Sequence, residues 1–157
     1  MKVVLQQNHT NWSGSLALAT TENTLSKYKN DIQVILANNS GMANGAVQAV
    51  EGQKLHGKVF IAGADADLTS IRNIIADKQN FEVFKAIQPL AEKALEIAVK
   101  AAKGEVVTSD SKINNGKKDV VSFNTPVFAV DKANFEAVVV NSGFHTKEAV
   151  YGNKKAN

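Results

Sequence analysis

Four residues able to hold a small polyol each follow a strand-like run. Trp12 follows Lys2-Val-Val-Leu-Gln-Gln, Asn39 follows Ile32-Gln-Val-Ile-Leu-Ala, Asp65 follows Lys58-Val-Phe-Ile-Ala-Gly, and Lys85 closes Phe81-Glu-Val-Phe. An indole offers a flat apolar face to the C–H surface of a ring and leaves the hydroxyl edges free. A primary amide donates and accepts, so it can serve neighbouring hydroxyls. A carboxylate accepting two hydroxyl protons makes charge-assisted bonds, and an ammonium beside it would balance its charge and donate in turn. Each residue also has an ordinary alternative: Trp12 packed on a sheet edge, Asn39 or Asp65 as a helix cap, and Lys85 as a solvated lysine.

The elements that must position them follow from hydrophobic periodicity. Strands are expected at residues 2–6, 32–37, 59–62 and 81–84, with helices between them. The run 32–37 is almost continuously apolar, as in a strand buried on both faces of a parallel sheet. Ser40-Gly41 opens the second helix, with Ser40 expected to cap it while Asn39 faces outward. Asp67 is the expected cap of the third helix. The helix from Pro89 to Lys103 has Pro89 in its first turn and Gly104 at its stop. Beyond it the pattern turns β-rich, with strand-like pieces at 105–108, around Ile113, at 120–123 and at 126–130. Asn114-Asn115-Gly116 is a strong turn signal. Asp131 is expected to cap a last short helix to about Val139, with frayed residues after His145. Alternating βα units imply an α/β fold with an open, mostly parallel, doubly wound sheet, in which ligands bind at the carboxyl ends of the strands.

Composition narrows the function classes. The 157 residues carry a formal net charge of only +3, with the lysine pairs Lys117-Lys118 and Lys154-Lys155 short and isolated, so no nucleic acid is expected as a partner. There is no cysteine, which excludes disulfides and thiolate metal sites. His9, His56 and His145 form no ligand-spaced pair and are expected on the surface or in loops. No apolar run approaches a membrane span. The sequence contains no nucleophile elbow, phosphate-cradling Gly-Lys-Ser/Thr loop or His-Glu-x-x-His. No cofactor, metal or catalytic residue is expected, and binding is favoured over chemistry.

Several segments carry a resemblance. They are Gly57-Lys-Val-Phe-Ile-Ala-Gly-Ala-Asp-Ala-Asp-Leu, Phe84-Lys85, Leu36-Ala-Asn-Asn, Ala46-Val-Gln-Ala, Leu95-Glu-Ile-Ala-Val, Asn114-Asn-Gly-Lys-Lys-Asp-Val, Thr125-Pro and Ser142-Gly-Phe-His. Through them the chain resembles the C-terminal half of the D-xylose-binding group of periplasmic binding proteins, of the ribose/galactose type. The resemblance implies that Trp12, Asn39, Asp65 and Lys85 match sugar-contacting positions, whereas Ser40 stands where the family often has an Asp. It further implies three segments: residues 1–84 as the sugar-binding C-terminal lobe, 85–104 as a hinge crossover and a helix of the N-terminal lobe, and 105–157 as a return completing the first. Implied partners are a xylose-like monosaccharide, the missing N-terminal lobe, and the permease of an ABC sugar importer or a membrane sensor. Self-association through the Pro89 to Lys103 helix is expected where that lobe is lacking. The implied location is periplasmic or extracellular, at the membrane, with any secretory signal outside these residues. The alternatives are the effector lobe of a sugar-responsive repressor, which would need a helix-turn-helix, and a sugar isomerase or flavodoxin-like enzyme.

Overall fold

The computed structural model describes residues 2–109 and 111–152, so the Lys154-Lys155 pair lies outside the described residues. The chain divides into two compact units, one of residues 1–84 with 128–157 and the other of residues 85–127. The first unit is built on a sheet in the order β1 (Val34–Leu36), β2 (Phe60–Ala64), β3 (Phe81–Lys85) and β6 (Val127–Val130). β1, β2 and β3 are parallel, with Ile35 opposite Ile61 and Ala64 opposite Val83. Parallel strands need crossovers, and here α1 (Gly14–Lys27), α2 (Ser40–Gly52) and α3 (Leu68–Ile75) precede or link them. The α/β, mostly parallel architecture is the one expected from the sequence.

Helix α1 starts where the Ser13 hydroxyl accepts from the Leu16 amide. Its Leu25 is fully buried with Ala46, Val47 and Val50 of α2 and with Val59 and Ile61. The two helices touch backbone to backbone. A Cβ on Gly45 would lie 2.1 Å from the Gly14 carbonyl oxygen and 3.0 Å from the Leu18 nitrogen. Ile71, Ile74, Phe84, Val130, Phe135, Val139 and Val150 are also buried, with the Phe84 and Phe144 rings 4.7 Å apart.

Several expectations change. Residues 2–6 form no strand; they are exposed, and the Tyr28 hydroxyl reaches the Val4 carbonyl at 3.3 Å. A strand needs a ladder partner, and these residues have none. β1 is the edge of its sheet rather than a strand buried on both faces, with Val34 41% and Leu36 68% exposed. Asp67 precedes α3 but makes no side-chain cap bond. Residues 105–108 are irregular. Asp131 accepts from Ala133 and Asn134 in the turn that leads to the helix, but the helix itself is a single π-type turn, Glu136–Val140, with no side-chain cap. Lys147–Tyr151 form α5, whose preceding Thr146 hydroxyl accepts from Ala149; Val150 is buried and Arg72 bonds the Ala149 carbonyl.

The second unit contains α4 (Ile87–Ala102) and the antiparallel hairpin of β4 (Ser111–Asn114) and β5 (Asp119–Ser122). Pro89 lies in the first turn of α4, where its missing N–H costs nothing, and Gly104 follows the helix with φ +72°. No residue of α4 is buried, and Ile87, Leu90, Leu95 and Val99 are exposed.

The Gly45 contact has a direct consequence. Gly45→Ala forces α1 away from α2 and is expected to destabilise the first unit by about 1–3 kcal/mol, read as a lower thermal midpoint by circular dichroism.

Candidate functional site

Trp12 ends a short 3-10 turn, Thr10–Trp12, just before α1. Asn11 and Trp12 both hold φ of +54°, a left-handed conformation that costs a non-glycine residue about 1 kcal/mol. The indole is 62% exposed, so it is not a wedge beneath a helix. Gly41 is flanked by Trp12 and Asn39 together: a Cβ there would meet the Asn39 amide nitrogen at 3.5 Å and the Trp12 carbonyl oxygen at 3.9 Å.

Asn39 caps α2, accepting from the Met42 amide at 2.9 Å. This corrects the expected division of labour, in which Ser40 caps. Ser40 is fully buried and works inward instead. Its hydroxyl lies 3.0 Å from both the Ala64 carbonyl and Glu82 Oε2, and it accepts from the Asp67 amide at 3.1 Å. The residue beside Asn39 is thereby tied to both sides of Asp65.

Asp65, half-buried, begins the corner that follows β2, with φ +102°, and Ala66 follows with +59°. The Asp65 amide donates to Val83 O at 2.8 Å, the Ala66 amide to Glu82 Oε2 at 3.1 Å, and the Ala66 carbonyl meets His145 Nε2 at 2.9 Å. That last contact requires the proton on Nε2. His145 lies in a bend before α5, as a loop histidine, but is half-buried and uses its ring to hold the corner. Lys85 is exposed, ends β3 and is the first residue of the second unit.

The strongest electrostatic feature is Glu82, fully buried inside β3. Its oxygens accept from Ala66, Ser40 and the Gln79 amide, the last at 2.6 Å. Burial pushes its carboxyl above the ordinary value of 4.5, and hydrogen bonds from Ala66, Gln79, Ser40 and Ser70 pull the other way. Between 4.5 and the raised value the folded protein keeps a proton that the unfolded chain has released. Glu82's contribution to stability is therefore full below that window and is lost as pH rises through it. The sequence reading gives Glu82 no role, takes Ser40 only as a cap and leaves His145 on the surface or in a loop. The available signal was a lone acid inside Phe81-Glu-Val-Phe, because a charge within an internal parallel strand has to be buried and partnered. Among the described residues no group of three or more His, Cys, Asp or Glu is placed to hold a metal, and no helix is long and apolar enough to cross a membrane.

The family model described as a periplasmic binding protein domain matches residues 1–106. The chain belongs to the periplasmic binding protein domain family. Among curated relatives, the D-xylose-binding periplasmic protein of Haemophilus influenzae is 42% identical, over 96% of this chain and 46% of its own length. The corresponding protein of Escherichia coli is 41% identical, over 92% of this chain and 44% of its own length. The chain thus spans less than half the length of these relatives. Among solved structures, a carbohydrate transporter solute-binding protein from Chloroflexus aurantiacus, in complex with D-glucose, superposes with a TM-score of 0.80. It is 30% identical and is matched over 89% of this chain and 42% of its own. These periplasmic binding protein relatives are binding proteins rather than enzymes, and none of them supports the repressor alternative.

The cap and outward roles of Asn39 are separable. Asn39→Ala removes the cap and is expected to cost about 1 kcal/mol. Asn39→Asp keeps an acceptor for Met42 while deleting the donor, so thermal melts should show it near wild-type stability.

Proposed function

We propose that the chain binds a monosaccharide, D-xylose or a similar pentose, as the sugar-contacting lobe of a periplasmic solute-binding protein. In this reading the indole of Trp12 lies against a ring face, the Asn39 amide and the Asp65 carboxylate meet hydroxyls, and Lys85, at the end of β3, is the fourth contact. The observation that carries it is the meeting of three segments: the Trp12 turn and the Asn39 cap flank Gly41, and Ser40 binds the corner that bears Asp65. Strand ends of a parallel sheet are where such folds bind ligands. The pentose assignment is supported by the 41–42% identity to two proteins named for D-xylose binding.

The transport role is part of the same proposal. The lobe would close with a second lobe on the sugar and be read by the permease of an ABC importer or by a membrane sensor. The periplasmic setting is supported by the names of the same relatives. One lobe supplies only part of the hydrogen bonds and does not enclose the ring.

Isothermal titration of this chain with D-xylose is expected to show weak or undetectable heat, and Trp12→Ala and Asp65→Ala should abolish any xylose-dependent NMR shifts. Tight binding by the chain alone contradicts the two-lobe mechanism, and wild-type shifts in both variants contradict the assigned contacts. The exposed stripe of Ile87, Leu90, Leu95 and Val99 in α4 is assigned to contact with that second lobe. Without it, sedimentation equilibrium is expected to show concentration-dependent self-association that Leu90→Glu with Leu95→Glu reduces. A monomer at every concentration counts against this part.

A further inference from the structure

We propose that Glu82 is a positioning residue of the binding rim, whose buried carboxylate holds the 64–67 corner and so sets the directions in which Asp65 and Asn39 face a ligand. The inference rests on the sugar-binding reading above. A fully buried carboxylate in a parallel strand is costly, and an apolar residue of similar volume would often serve stability as well or better. The surroundings are nevertheless built around it. A Cβ on Gly63 of β2 would lie 2.2 Å from Glu82 Oε1, so that strand keeps a glycine where the acid needs room. Gln79 turns its amide nitrogen to Glu82 and to the Phe81 carbonyl, which leaves its own buried Oε1 with no partner.

What these costs secure is the corner. Oε2 accepts from the Ala66 amide and from Ser40, and Ser40 in turn accepts from the Asp67 amide. The carboxylate therefore spans from β3 to the residue after Asp65 and to the residue after Asn39. The left-handed Asp65 and Ala66 backbones persist only where surrounding bonds over-determine them. The Ala66 amide is received by Oε2 and the Asp65 amide by the Val83 carbonyl.

The test uses the whole chain and two-dimensional amide NMR. Glu82→Met removes both acceptors at nearly constant volume, and Glu82→Gln keeps one oxygen for Ala66 and Ser40. Without sugar, Glu82→Met is expected to keep its fold while the Ala66 amide exchanges at least tenfold faster than in the wild type. With D-xylose, its concentration for half-maximal shift at Asn39 and Asp65 should rise at least tenfold, and Glu82→Gln should recover most of that loss. Should Glu82→Met not fold, Ser40→Ala cuts the other arm of the clasp and is read the same way. Wild-type xylose response in Glu82→Met, or a loss that Glu82→Gln leaves unrecovered, overturns the positioning role. A wild-type chain with a protected Ala66 amide and no xylose response at any concentration overturns the sugar reading, and the positioning role with it. The exchange measurement tells that failure apart from a failure of the clasp.

Discussion

A carboxylate shut away from water must be met by donors, and the centre of the first unit is organised by that requirement. Glu82 draws the Ala66 amide, the Ser40 hydroxyl and the Gln79 amide onto its two oxygens. Those donors come from the turn after β2, the start of α2 and the approach to β3. One buried charge thus links three chain segments that are distant in sequence. Each bond nets about 1.5–3 kcal/mol when one partner is charged, and together they offset part of a desolvation cost that still leaves the carboxyl raised.

The rim above this clasp is made of residues with two roles. Asn39 commits its oxygen to capping α2. Asp65 sits in a left-handed backbone that its amide bond to Val83 helps maintain. Trp12 leaves its indole in solvent, on a turn whose backbone reaches the same glycine that Asn39 flanks. The close approach of α1 to α2 at Gly14 and Gly45 brings that turn there. On the proposed sugar-binding reading, stability and recognition share atoms, and a change at one of these positions acts on both.

The irregular parts obey the same physics by omission. Residues 2–8 contain an apolar run, Val3-Val4-Leu5, that would suit a strand, yet they do not pair with the sheet and stay exposed. β1 consequently forms the sheet edge and leaves Val34 and Leu36 exposed. α4 shows an apolar stripe with clear helical spacing and no buried residue. Periodicity reports which face of an element prefers to be covered; it carries no information on whether a covering surface is present.

The sequence by itself determined the local order: the parallel α/β architecture, the helix starts and stops around Pro89 and Gly104, the hairpin at Asn115-Gly116, and the candidates Trp12, Asn39, Asp65 and Lys85. These depend on neighbours a few residues apart, where side-chain period, φ preference and capping act. Tertiary structure alone decided that Asn39 rather than Ser40 caps α2, that residues 2–6 are not a strand, that His145 meets Ala66, and that Glu82 anchors the corner below Asp65. The last two depend on partners 16 to 79 residues apart in sequence, and such a meeting exists only once the sheet has brought the segments together.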